Sequence, residues 1–117
     1  MPRSRSKAYK TMILNINIDQ EAYALDVPEQ LLEEAQDFFK TMDDDMDKGW
    51  QMGRFWVENP TAEQRCQVAA NKLVSAMHTE NKRMFYLMSA YILHTIPNVK
   101  GITVHNDLEI DDIDIAT

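Results

Sequence analysis

The sequence is short of the residues from which most catalytic and cofactor-binding motifs are assembled. Three glycines in 117 residues cannot supply a glycine-rich cradle for a phosphate or dinucleotide. No GxGxxG, P-loop, GxSxG or CxxC pattern occurs. A single cysteine, Cys66, excludes an intramolecular disulfide and fits a reducing compartment. No apolar run approaches the roughly 18 residues of a membrane-spanning helix. The basic start Arg3, Arg5, Lys7 is not followed by an apolar segment, so a secretory leader is not expected and a cytoplasmic location is. Positive charge is also scarce: 12 Lys and Arg against 19 Asp and Glu leave a net charge of -7 and a pI near 4.8. That balance argues against a nucleic-acid-binding face and against an anionic membrane surface.

What is present suits one globular domain. Apolar residues make up 44% of the chain, and the length allows a buried core without disulfide or metal staples. Charge falls into zones. Arg3, Arg5, Lys7 and Lys10 lead, and Asp107, Glu109, Asp111, Asp112 and Asp114 close. No internal repeat is found. The expected organisation is a disordered basic tail over 1–8, a single domain over 9–105, and an acidic-aliphatic tail or edge strand over 106–117.

Hydrophobic spacing sets the expected elements. Met12, Leu14, Ile16 and Ile18 alternate with Ile13, Asn15 and Asn17, the period of a half-buried strand. After polar Asp19-Gln20-Glu21, the alternation resumes at Tyr23, Leu25 and Val27, which predicts a β-hairpin. Pro28 with Glu29 opens a helix. A stripe through Leu31, Ala35, Phe39, Met42, Met46 and Trp50 predicts one amphipathic helix from about 28 to 48. That stripe extends on spacing alone to residue 57, interrupted at Gly49 and Gly53. Thr61 with Gln64 forms a capping-box pattern ahead of Cys66, Ala69, Leu73 and Met77. A last helix over 82–96 is apolar nearly all round, and so is expected to be the central one. Ile102 and Val104 then predict a third strand or an extended tail. The fold class expected is α+β: three to four helices packed on a small antiparallel sheet begun by an N-terminal hairpin.

Candidate chemistry is thin. Asp43, Asp45 and Asp47 have the alternate spacing of a calcium loop, but positions six and twelve of that loop would be Lys48 and Arg54 instead of glycine and glutamate. The helical stripe also passes through Met42 and Met46, so the aspartates read as a solvated helix face. His78, His94 and His105 show no ligand spacing. Cys66 lies on an apolar stripe, where a free cysteine behaves as a small hydrophobe, although Arg65 and a helix start stand close by. The segment Trp50 to Trp56 holds both tryptophans, Met52, Arg54 and Phe55, residue types that favour both cores and interface centres. Met42, Met46, Met77, Met84 and Met88, spread through the expected helices, suit gap filling and adaptable surfaces alike. The tail alternates acid and aliphatic from Leu108 to Ile115, as a strand-forming or docking segment would.

The function expected is a non-enzymatic protein–protein interaction or regulatory subunit that self-associates and needs no cofactor. Its contact surface would hold Trp50, Met52, Arg54, Phe55, Trp56, Ile110 and Ile113. Its partner would be protein, a second copy included, and neither membrane nor nucleic acid. Two alternatives stand beside it. One is a small metal-binding protein or metal-dependent enzyme using Asp43, Asp45 and Asp47. The other is an acidic mimic that inhibits a nucleic-acid-binding protein.

Overall fold

The computed structural model describes residues 10–105 and 109–117. The expectation of disorder over 1–8, and the part of the tail that includes Leu108, lie outside the described residues. Strands β1 (Thr11–Ile18) and β2 (Glu21–Pro28) form the predicted hairpin. Asp19 and Gln20 join them, both with positive φ (48° and 74°). A two-residue turn with both central residues left-handed matches the twist of the flanking strands, and aspartate tolerates that backbone.

Helix α1 (Glu29–Glu34) follows directly, and α2 (Gln36–Asp47) follows it. The single helix predicted over this stretch is thus two, divided at Ala35 (φ -96°, ψ 15°). No breaker residue marks the division. Ala35 donates to the Leu31 carbonyl (3.0 Å) and accepts from the Phe39 amide (2.9 Å), so hydrogen bonding crosses the kink. The change of direction lets α1 turn onto the last helix while Phe39, Met42 and Met46 of α2 enter the core.

Spacing also misreads the region after Lys48. Gly49 adopts φ 106°, which a helix cannot hold, and the chain makes a short hairpin, β3 (Trp50–Met52) and β4 (Phe55–Val57). Helix α3 (Ala62–His78) then opens on the predicted capping box. The Gln64 amide donates to Thr61 Oγ1 (3.1 Å) and the Thr61 amide donates to Gln64 Oε1 (2.9 Å). Helix α4 (Lys82–Thr95) is capped by Asn81 and buries seven consecutive residues from Leu87 to Leu93, as its composition predicts.

The fold class is α+β, as expected, with four α-helices among the described residues. The sheet differs in one respect from the expectation: it is mixed. Strand β5 (Gly101–Val104) runs parallel to β1, and β6 (Asp114–Ala116) lies antiparallel to β5 after a 3-10 turn at Ile110–Asp112. The spatial order is β2-β1-β5-β6. Helix α4 lies over β1 and β2 while α3 lies over β5 and β6, so among the described residues one sheet face is covered and the other is open. Leu14, Ile16 and Ile102 point into the covered face and are fully buried. Within the tail, Asp114–Ala116 is the edge strand, held by buried Ile113 and Ile115 and by Gln67. That side chain donates to the carbonyls of Ile113 (2.8 Å) and Asp111 (3.2 Å).

The parallel pairing depends on Gly101. A Cβ there would meet the Asn15 carbonyl oxygen at 2.7 Å, which is backbone and cannot move aside cheaply. Gly101→Ala is therefore expected to lower unfolding stability by about 2 kcal/mol, the usual cost of overpacking a tight site. A urea titration that leaves the midpoint unchanged would show that β1 and β5 part without cost.

Candidate functional site

Two regions carry the candidate residues: the acidic C-terminal half of α2 and the β3–β4 hairpin. In the first, the aspartates diverge. Asp44 receives Lys40 across one helical turn (3.0 Å), in solvent. Asp45 lines a cleft on another side of the helix. Asp43 and Asp47 both face Arg65, whose side chain is largely buried. Arg65 Nη2 donates to Asp47 Oδ1 (2.7 Å) and Asn59 Oδ1 (3.2 Å). Its Nη1 donates to the carbonyl oxygen and Oδ1 of Asp43 (both 3.3 Å), and Nε donates to the Pro60 carbonyl (2.9 Å). Tyr91 on α4 donates its hydroxyl to the same Asp43 Oδ1 (2.6 Å). Its phenol is pushed well above the usual range, first by burial and then by that bond. The calcium-like spacing thus serves a structural clamp, and no three His, Cys, Asp or Glu among the described residues are disposed to hold a metal.

The histidines do not gather either. His78 is exposed at the end of α3, His105 is exposed after β5, and His94 stacks on Phe39 (4.9 Å between ring centroids). Cys66 is fully buried, with Sγ 4.0 Å from the Ile92 carbonyl oxygen. Burial, then the nearby charges of Asp43 and Glu63, pushes the thiol up to about 12. Arg65, its neighbour in sequence, points to α2 instead. A helix start and a cation one residue away are therefore not enough to activate it.

The hairpin is the other region. Met52 pairs with Phe55, Gln51 with Trp56 and Trp50 with Val57. Gly53 takes φ 60° at the first central position of the turn, where glycine is the residue demanded. Alternation gives the ribbon two faces. Trp50 and Val57 are half-buried and Met52 is 2% exposed, so this face anchors the ribbon to the core. Trp50 also walls a cleft of about 230 Å³ with Phe38, Met42, Met46, Met84 and Met88, and Lys72 Nζ stands 5.4 Å over its ring. Trp56 lies on the opposite face, directly over Gly49. A Cβ on Gly49 would come within 2.3 Å of the indole. Even so, Trp56 is 59% exposed, and Phe55 at the ribbon's end is 66% exposed.

Of the residues expected to form a contact surface, Phe55, Trp56 and Arg54 are exposed. Met52 and Ile113 are core, while Trp50 and Ile110 are half-buried. The sequence marks Gly49 and Gly53 as interruptions of a helical stripe, but not as the residues that shape a ribbon. Gly49 seats Trp56, and Gly53 lets the turn lie against the C-terminal segment, where a Cβ would meet Glu109 Oε2 at 3.2 Å and Asp111 Oδ1 at 3.4 Å. The signal was a pair of glycines in a chain with only three, flanking the densest aromatic cluster. No protein-family model matches the chain, and neither a curated protein nor a solved structure does.

Two outcomes follow from this geometry. Arg65→Ala strands Asp43 beside Tyr91 and is expected to cost about 2 kcal/mol, less than a fully buried pair because Asp47 is solvated. Loss of less than a few tenths by chemical denaturation would mean the clamp is a surface ornament. For Cys66, iodoacetamide at pH 8 is expected to label the native protein about 1000-fold more slowly than the urea-unfolded chain, since thiolate is the reacting form. The unfolded thiol ionises from about pH 9 while the folded one stays neutral to about 12, so stability falls as pH rises between them. Comparable labelling of native and unfolded protein would refute the burial of this thiol.

Proposed function

We propose that the protein is a non-enzymatic interaction subunit whose β3–β4 hairpin docks into a protein partner. The observation that carries the reading is the exposure of Phe55 and Trp56, 66% and 59%, on a ribbon that Trp50, Met52 and Val57 root in the core, with Trp56 on the outer face and Phe55 beside it in β4 at the turn. A large aromatic left in water forgoes up to about 3 kcal/mol of burial, and paired exposed aromatics on a fixed support have the character of interface hot spots. Rigidity adds to the argument. The ribbon is held by Met52 and Val57 below and by Gly49 under the indole, so little ordering cost remains at the moment of contact.

The surroundings suggest the chemistry of the partner. Glu109 and Asp111 reach the turn at Gly53, and Asp112 and Asp114 follow in the same exposed segment. A surface with an aromatic centre and an acidic border suits an apolar pocket rimmed by lysine and arginine. The acidic-mimic alternative draws on the same carboxylates, but the two exposed rings favour an apolar pocket over a purely electrostatic groove. Against the metal-dependent alternative stands the engagement of Asp43 and Asp47 by Arg65.

The test uses Trp56 as its own reporter. Capture of partners on the immobilised protein, followed by titration of the purified partner, is expected to shift indole emission to shorter wavelength. Phe55→Ala with Trp56→Ala is expected to weaken binding by about 100-fold or more, with helix content by circular dichroism unchanged. Added salt is expected to weaken it further, since the rim is charged. Unfolding of the double variant would return these rings to the core, and undiminished binding would move the contact elsewhere.

A further inference from the structure

The other exposed feature is the edge of the sheet. Strand β2 is terminal in the order β2-β1-β5-β6, and six of its eight residues are exposed. The direction of its backbone groups can be worked out. On β1, the amides of Asn15 and Asp19 donate to Lys100 and Val104 carbonyls on the β5 side. Backbone polarity alternates along a strand, so Met12, Leu14, Ile16 and Ile18 direct theirs to β2. Their cross-strand partners are Val27, Leu25, Tyr23 and Glu21. Ala22, Ala24 and Asp26 therefore turn their N–H and C=O groups outward, three donors and three acceptors in a row along the open edge.

We infer that this edge pairs with the same edge of a second copy, antiparallel about a twofold axis through Ala24. In that register Ala24 faces Ala24 of the other copy, and Ala22 faces Asp26 in both directions. Every outward N–H then meets an outward C=O. Side chains agree with the backbone. Tyr23 and Leu25 lie on the helix-covered side, opposite Ile16 and Leu14, and in this register Tyr23 of one copy sits against Leu25 of the other. Tyr23 is 43% exposed in the single chain and borders an apolar groove of about 470 Å³ with Ala76, Met77 and Phe85, which the other copy's ring and aliphatic chain would fill. On the open face only alanines and Asp26 meet, so no like charges oppose each other despite the net charge of -7. Glu80 and Lys82 stand together on the groove's rim and carry opposite signs.

The edge is lightly protected: from Ala22 to Asp26 no lysine or bulge interrupts it and Asp26 is its one charge, while Pro28 stops the pairing at one end. Because both copies use β2, the contact is isologous and closes at two chains. This goes beyond the function proposed above, and gives the self-association expected from the sequence a surface separate from the aromatic hairpin.

Sedimentation velocity across the micromolar range tests it, with a dimer of twice 13.6 kDa expected. Ala24→Pro removes the central N–H, and Ala24→Lys sets two like charges face to face at the axis. In the single chain Ala24 is exposed, its N–H turned outward. Each variant is expected to dimerise about 100-fold more weakly with helix content unchanged. Ala24→Cys is expected to yield a disulfide-linked dimer under mild oxidation, the directly opposed Cα atoms lying about 5.5 Å apart, whereas Asp114→Cys on the far edge is not. Raising salt is expected to strengthen this dimer, opposite to the salt response of the hairpin contact. A monomer throughout, a dimer that survives both Ala24 substitutions, or cross-linking through Asp114→Cys overturns the inference. A dimer abolished by Phe55→Ala with Trp56→Ala also overturns it, by assigning self-association to the hairpin. A β2 dimer that keeps its mass in that double variant supports it whether or not the hairpin binds a partner.

Discussion

One guanidinium holds the helical layer in register. Arg65 reaches Asp43 and Asp47 on α2, Asn59 and Pro60 in the loop before α3, and through Asp43 it meets Tyr91 on α4. An arginine has five donors in a planar fork, and here the fork is satisfied by side-chain and backbone oxygens from both sides of one excursion. That excursion is the chain from Asp47 to Asn59, which carries the β3–β4 hairpin. The two ends of the hairpin segment are thus tied to one side chain. A lysine, as a point charge with three donors, could not span the same set of acceptors. The position of the aromatic ribbon on the molecule follows from this clamp as much as from the burial of Met52 beneath it.

The clamp also explains why an acidic run in the middle of the chain has so little chemistry to offer. Carboxylates four residues apart on a helix share a face and would repel each other if both were left bare. Placing Arg65 between Asp43 and Asp47 removes the repulsion and satisfies a largely buried cation in the same step. Asp44 and Asp45 fall on other faces, as the helical period requires. Polar satisfaction therefore uses up the features that resemble a ligand set. What stays open to a partner among the described residues is the pair of rings at Phe55 and Trp56 and the outward backbone groups of β2 beside an apolar groove.

Local signals in the sequence were legible and long-range ones were not. The hairpin of β1 and β2 follows from period-two alternation around Asp19 and Gln20. The start of α3 follows from Thr61 and Gln64, and the burial of α4 from its composition. Each depends on residues within a few positions of one another. The break at Ala35 left no signal, because the hydrogen bonds cross it and alanine is a good helix residue. The β3–β4 ribbon was hidden because Met46 and Trp50 happen to continue the helical spacing and three-residue strands are too short to show a period. The parallel placement of β5 beside β1 depends on a contact 85 residues apart, between Lys100 and Asn15, and no local pattern encodes that choice. At the candidate site, the cluster of aromatics was visible, but the role of Trp50, and not Trp56, as an anchor depended on the phase of the ribbon, and the exposure of Phe55 on its place at the turn. That phase is set by Gly49 and Gly53.

The aromatic ribbon and the β2 edge lie at opposite margins of the fold. The aromatic hairpin touches the segment at Glu109 and Asp111 that leads into β6, one edge of the sheet, and β2 is the other edge. Pairing through β2 would therefore produce an eight-stranded sheet with one aromatic hairpin near each end. Neither hairpin would be buried by the pairing. Such a molecule would present two identical docking ribbons on a stiff support, at a separation fixed by the sheet and not by a flexible linker. Avidity from two sites depends on whether a partner's own spacing matches that separation. A partner with a single pocket would gain nothing from the second ribbon, whereas a symmetric or repetitive partner would gain by effective concentration without any new contact. In this arrangement the open edge would set the valency of the protein and the aromatic ribbon its specificity. Arg65, which touches neither surface, would hold the ribbon in place on its support.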